Sequence, residues 1–181
     1  MRYAKWVFYA LLLLAVAGFL HYTLPQHDVV RILGTEIKRQ SVEVENEKGE
    51  TVTRNEDVRY IQTVTPDGEP YVYRNEDTGW GWPPYFKFDS ANLATRAETN
   101  VSSEENPKWF VITHYGWRWS MFSWFPNAIS MERAEGPDQT IIPWFNIATI
   151  LALIALALVL RHRLSPAFAR LTRPRDGAET G

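Results

Sequence analysis

Trp6-Val-Phe-Tyr-Ala-Leu-Leu-Leu-Leu-Ala-Val-Ala-Gly-Phe-Leu-His-Tyr-Thr-Leu24 is the stretch that decides the architecture. Only Met-Arg-Tyr-Ala-Lys precedes it, and between Trp6 and Leu20 the sole polar group is the Tyr9 hydroxyl. As a helix rising ~1.5 Å per residue it spans about 28 Å, close to the ~30 Å hydrocarbon core of a bilayer. His21, Tyr22 and Thr23 suit the membrane–water interface, and Pro25 ends the helix. A signal peptide is the competing reading, since Arg2 and Lys5 form a basic leader and Ala15-Val16-Ala17 resembles a cleavage site. The apolar run continues past that site through Gly18-Phe19-Leu20, which favours an uncleaved anchor.

Near the other end of the 181-residue chain, Ile141 to Leu160 forms a second apolar run, about 30 Å long as a helix. Pro143 is expected in its first turn, where a missing N–H costs little. Trp144 and Phe145 stand at interfacial depth, and the run stops at Arg161-His162-Arg163. Ala148 and Ala152 form a small-xxx-small pair that permits close helix approach. The two terminal tails carry net charge +5, the segment between the apolar runs −7. The reading is therefore a basic cytoplasmic N-tail (1–5), a first span (6–24), an extracytoplasmic domain (25–140), a second span (141–160) and a basic cytoplasmic C-tail (161–181). The overall mean hydropathy of −0.28 conceals this division.

The middle reads as β. Asp28 to Glu36 opens it; Ser41 to Glu45 alternates polar and apolar residues; Asn46-Glu47-Lys48-Gly49 turns; Thr51-Val52-Thr53 returns. Val58 to Val64, closed by Pro66-Asp67-Gly68, pairs with Tyr71 to Arg74. Lys108 to Tyr115 is the most apolar strand, and Ile129 with Met131 marks a last one. Asp89-Ser90 is expected to cap a short helix through Thr99 that uses Leu93, Ala94 and Ala97. The expectation is a small, mostly antiparallel sandwich or barrel of five to seven strands, flanked by the two membrane helices. Arg-Asn-Glu-Asp occurs at 54–57 and again at 74–77, but the flanks differ, so it is read as chance.

Aromatic residues crowd into two stretches, Gly79 to Phe88 and Tyr115 to Pro126. Trp80, Trp82, Tyr85, Trp117, Trp119 and Trp124 are the candidate binding residues, an aromatic patch for a glycan or lipid. For Trp80 and Trp82 the simpler expectation is burial in the core of the β domain, where such rings remove much area from water. For Trp117 to Phe125 no single core face can take Trp117, Trp119, Phe122, Trp124 and Phe125 together. That stretch is expected against the membrane surface or a partner protein.

Several blocks carry a wider resemblance: His21 to Asp28, Tyr73 to Leu93, Thr113 to Arg118, Phe125 to Ala128 and Ile141 to Trp144. Through them the chain resembles, over nearly its whole length, a bacterial inner-membrane protein family known as a domain of unknown function. Residues 46–52 depart from its pattern as a variable hairpin. The resemblance implies a small two-span inner-membrane protein and brings no activity, cofactor or site residue with it.

The residues themselves bound the chemistry. With no cysteine, disulfides, zinc–thiolate sites and thiol nucleophiles are excluded. A net charge of −2 speaks against nucleic acid as partner. Hydrolase, zincin, P-loop and EF-hand motifs are absent. Asp77-Thr78-Gly79 matches an aspartic-protease tripeptide, but its paired second carboxylate is missing, and Asp77 is expected to cap the Gly79 turn. His27 and His114 can meet Asp28 or Asp57 in space, as a remote hydrolase site or, more simply, as core histidines. The expectation is a non-enzymatic inner-membrane component supporting an envelope assembly, without metal or cofactor. Its partners are the bilayer and, through helices or aromatic patch, other inner-membrane proteins. The alternative is an extracytoplasmic module that recognises a glycan or lipid.

Overall fold

The computed structural model describes residues 2–45 and 50–171. The expected turn at 46–49 and the end of the C-terminal tail lie outside the described residues. The chain divides into two units, 1–141 and 142–181.

In the first unit, helix α1 (Arg2–Thr23) leads into strand β1 (Gln26–Glu45). Then come β2 (Thr51–Val64), β3 (Pro70–Arg74), helix α2 (Ser90–Thr99), β4 (Trp109–Tyr115), a short 3₁₀ turn (Ser120–Phe122) and β5 (Asn127–Arg133). The strands close into a barrel in the order β1-β2-β3-β5-β4. All neighbours are antiparallel except β3 and β5, which meet in parallel at Arg74 and Asn127. This connectivity, with a helix between the third and fourth strands, is that of the OB barrel. The fold by itself implies no ligand.

β1 makes closure possible. Its first residues, Gln26–Arg31, pair with β4, and from Arg31 onward it pairs with β2. A register shift between Ile32 and Gly34 bends it where it changes partner. The two strands expected at 28–36 and 41–45 are thus one, and the return at 51–53 is continuous with 58–64. Beyond the barrel, β1 and β2 continue as a two-stranded ribbon, where neither face meets a core, so no hydrophobic run signals the continuity.

The core takes alternate residues from β1 and β4, one residue each from β2 and β3 (Ile61 and Tyr73), and Ala128 and Met131 from β5. Val30, Ile32, Ile61, Phe110, Ile112 and Met131 fill it, and α2 closes one end with Leu93 and Ala97. These side chains leave Trp80 and Trp82 no room. They stand 84% and 66% exposed on the β3–α2 loop, which corrects the expectation of core burial. Gly79 at φ 53° and Pro83-Pro84 hold that loop away from the sheet.

The second unit contains helix α3 (Trp144–Leu171). It begins after Pro143, whose carbonyl accepts the first bond from Ile147 N–H, so the proline precedes the helix instead of occupying its first turn. The stretches Tyr3–Thr23 of α1 and Trp144–Arg163 of α3 are long and apolar enough to cross a membrane. In neither apolar window is a residue buried within the structure.

Candidate functional site

The two aromatic loops meet at the last turns of α1. The rings of Phe19 and Trp82 stack 5.8 Å apart. Trp117 lies against Gly18, where a Cβ would sit 3.8 Å from its ring. Its indole N–H donates to His21 Nδ1 at 2.9 Å, and its ring meets Tyr22 edge-on at 5.5 Å. Tyr85 donates its hydroxyl to the Thr23 carbonyl and stacks on Tyr115 at 5.0 Å. Gly116 N–H donates to the Tyr22 carbonyl at 2.9 Å, made possible by a backbone at φ 92° that only glycine adopts readily. Further out, Trp119, Phe122 and Trp124 pack on one another, and Trp80 rests on Phe86 and Phe88. The six candidate residues therefore fall into two loops on one collar, not one continuous patch. Met121, 79% exposed, is at the tip of the second loop.

Beside this collar lies a cleft of about 510 Å³, within the ~300–1,000 Å³ range of small-ligand pockets. Trp117 and Trp124 line it; Trp80, Trp82, Tyr85 and Trp119 do not. Phe122 and Phe125, from the aromatic stretch expected at a surface, line it too, whereas Gln40, Tyr60, Arg74, Glu76 and Asn127 are not candidates from sequence. Arg74 and Glu76 carried a signal through the recurrence of their block and its place in the family resemblance, and Asn127 through the resembling block Phe125 to Ala128.

The cleft's polar floor is well tied. Arg74 pairs with Glu76. Asn127 Oδ1 accepts Glu76 N–H at 2.9 Å, and its amide donates back to the Glu76 carbonyl at 3.1 Å and to Tyr115 Oη at 3.3 Å. Gln40 donates to Tyr60 Oη at 2.8 Å. The Arg118 guanidinium lies 4.2 Å over the Phe125 ring, a cation–π contact at the rim. One donor is left over: Arg74 Nε is buried with no acceptor among the described residues.

A second cluster sits inside the barrel. Asp28 Oδ2 accepts the Tyr73 hydroxyl at 2.7 Å and faces His114 Nε2 at 2.8 Å. Burial alone would raise the Asp28 carboxyl, but the bond and charge of His114 and the Tyr73 bond outweigh it, and the carboxyl titrates below its ordinary value. His114 is 2% exposed, and its Nδ1 is buried without a partner among the described residues. Asp28 alone reaches solvent, in a cleft of about 380 Å³ also lined by His27 and Asp67. His27 stays outside the bonded cluster, and Asp57 pairs with Arg39 on the exposed ribbon. His114 is thus a core histidine held by one carboxylate.

The Arg74-Asn75-Glu76-Asp77 block also locks the β3–α2 connection. Asn75, buried, donates to the Ser90 carbonyl at 2.8 Å. Lys87 Nζ donates to Asn75 Oδ1 and the Ala128 carbonyl, both at 2.6 Å. Burial pulls this ammonium down to about 8, against the raising effect of Asp77, Asp89 and Glu76. Asp77 Oδ1 accepts Ser90 N–H at 2.8 Å. It thereby caps α2 from thirteen residues away, a role expected of Asp89, whose side chain makes no cap bond. The copy at 54–57 differs: Asn55 is exposed and bonds Ser41, consistent with chance recurrence. Among the described residues no group of three or more His, Asp or Glu side chains is placed to hold a metal.

Fold and collar together define a class: an OB-type barrel whose loops grip the end of an apolar helix. The chain belongs to the family described as "Protein of unknown function (DUF1523)", which matches residues 1–168. An uncharacterized protein of Haemophilus influenzae is 38% identical over 144 residues, covering 76% of this chain and 80% of that one. No solved structure matches.

Proposed function

We propose that this protein is a two-span inner-membrane component, with both termini cytoplasmic, whose barrel is seated on the outer face of the bilayer as a non-enzymatic accessory module. The observation that carries this reading is the aromatic collar. Gly18 and Phe19 precede the end of α1 by four to five residues, or about 6–7.5 Å along the axis. That is the depth of one interfacial layer, about 5–8 Å thick. Trp117 and Trp82, packed at those positions, stand at the depth where indole rings are most stable, with the Trp117 N–H satisfied by His21 at the polar end of the helix. Trp80, Met121 and Phe122 project from the same loops with their apolar surfaces uncovered. The exposed flanks of both long helices need lipid for the same reason. The basic tails and acidic middle supply the orientation.

The cysteine-free chain permits a direct test. Single cysteines at Gly49, Met121 and Gly181 are challenged with a membrane-impermeant maleimide applied to the periplasmic side. Gly49→Cys should label, and Gly181→Cys should label only after lysis. Met121→Cys should stay protected in the membrane and label in detergent. Labelling of Gly181→Cys from outside refutes the orientation, and rapid labelling of Met121→Cys in intact membranes refutes the seating. An intact mass beginning at Met1 or Arg2 is expected for an uncleaved anchor; loss of the first ~17 residues would refute it.

A further inference from the structure

We infer that the cleft between β2–β3 and the 115–127 loop is a binding site for a neutral sugar. Its charges cancel. Arg74 is neutralised by Glu76, and the formal charges of Asp77 in the lining and of Arg118 on the Phe125 ring are equal and opposite. A phosphate finds Arg74, the cation of the lining, already paired. An ammonium finds Glu76 already paired and one oxygen of Asp77 committed to Ser90. What remains is the exposed Gln40 amide, with its carbonyl and second N–H beyond the bond to Tyr60, beside an internally bonded polar floor of Arg74, Glu76 and Asn127, in a cleft also lined by the aromatic side chains of Tyr60, Trp124 and Phe125. A pyranose is the ligand that uses both at once. Its hydroxyls each donate and accept, and its C–H faces are apolar and flat enough to lie on an aromatic ring.

Tyr22, from the end of α1, contributes to the cleft wall. Under the proposed seating the site opens at the bilayer surface, so the sugar can be a soluble glycan or the headgroup of a glycolipid. The binding chemistry is the same in both and does not depend on the seating.

The full chain in lipid nanodiscs is titrated by saturation-transfer difference NMR with maltotriose, cellotriose and chitotriose. Nanodiscs carrying monoglucosyl-diacylglycerol form a second arm. Phosphate and choline serve as charged competitors. Binding of at least one sugar is expected, weakened about tenfold or more by Gln40→Ala and by Trp124→Ala, and unchanged by Asp67→Asn in the other cleft. Gln40 is exposed, so its replacement leaves the fold intact. Saturation by trisaccharides identifies a soluble glycan; response confined to the glycolipid discs identifies the headgroup. Silence in both arms overturns the inference, as does undiminished affinity in both cleft variants or tighter binding of choline or phosphate. Because maleimide labelling reads topology alone, failure here leaves the seating proposal standing, and the converse holds.

Discussion

Replacing Tyr73 with Phe removes one oxygen and keeps the ring that fills the barrel. Tyr73 is 0% exposed, and its hydroxyl donates to Asp28 Oδ2 at 2.7 Å. A hydrogen bond to a charged acceptor contributes ~1.5–3 kcal/mol. Asp28 is partly open to water, which screens the interaction, so the lower half of that range applies, about 1.5–2 kcal/mol. For a folding unit of this size ~4 °C corresponds to 1 kcal/mol, giving a fall in Tm of about 6–8 °C. The assay is a thermal melt of the detergent-solubilised full chain followed by near-ultraviolet circular dichroism. The pH dependence has a definite sign. The Asp28 carboxyl is held below its ordinary value, so its contribution is complete above about pH 4 and is lost as pH falls through the folded-state value. The gap between wild type and Tyr73→Phe should therefore be full at pH 7 and narrow toward pH 3. In a double-mutant cycle Asp28→Asn and Tyr73→Phe should be non-additive. An unchanged Tm at pH 7, or a gap of equal size at both pH values, would refute the reasoning.

Lys87 should make the wild type gain stability with rising alkalinity. Between its folded value of about 8 and the unfolded value near 10.5, the unfolded chain binds the extra proton, so stability rises by about 2 kcal/mol from pH 7 to 9.5. Lys87→Met should abolish that slope in urea titrations, and the comparison is read below pH 10 because half-buried Tyr85, raised to about 12, acts in the opposite sense above it. Gly18→Leu should push Trp117 off the helix, break its bond to His21 and red-shift the tryptophan emission. Gly18→Ala, whose Cβ makes an ordinary 3.8 Å contact, should not. Asp77→Ala should cost ~1 kcal/mol of barrel stability through the lost cap of α2, while Asp89→Ala should cost little, both measured by chemical denaturation.

Sequence alone determined the features written in short windows. The two apolar helices, the β character of the middle, the α2 segment and the β3, β4 and β5 segments all follow from hydropathy and periodicity within a few residues of one another. The same local count put Trp117 to Phe125 outside any core, since five large rings on both faces cannot share one interior. Tertiary structure decided whatever depends on pairing across distance. β1 is continuous because it changes partner from β4 to β2 along its length, and β2 because it follows β1 from end to end, and their exposed ribbon carries no apolar run to announce it. Trp80 and Trp82 are displaced because other residues had already filled the barrel, a competition for volume that no window records. His114 reaches Asp28 across 86 positions, and Asp77 outbids the adjacent Asp89 for the helix cap across thirteen. The cleft draws Gln40, Tyr60, Arg74 and Asn127 from four different strands. Only closure of the barrel brings those four side chains to one place, because their proximity is set by strand order and register and not by anything their neighbours in sequence specify.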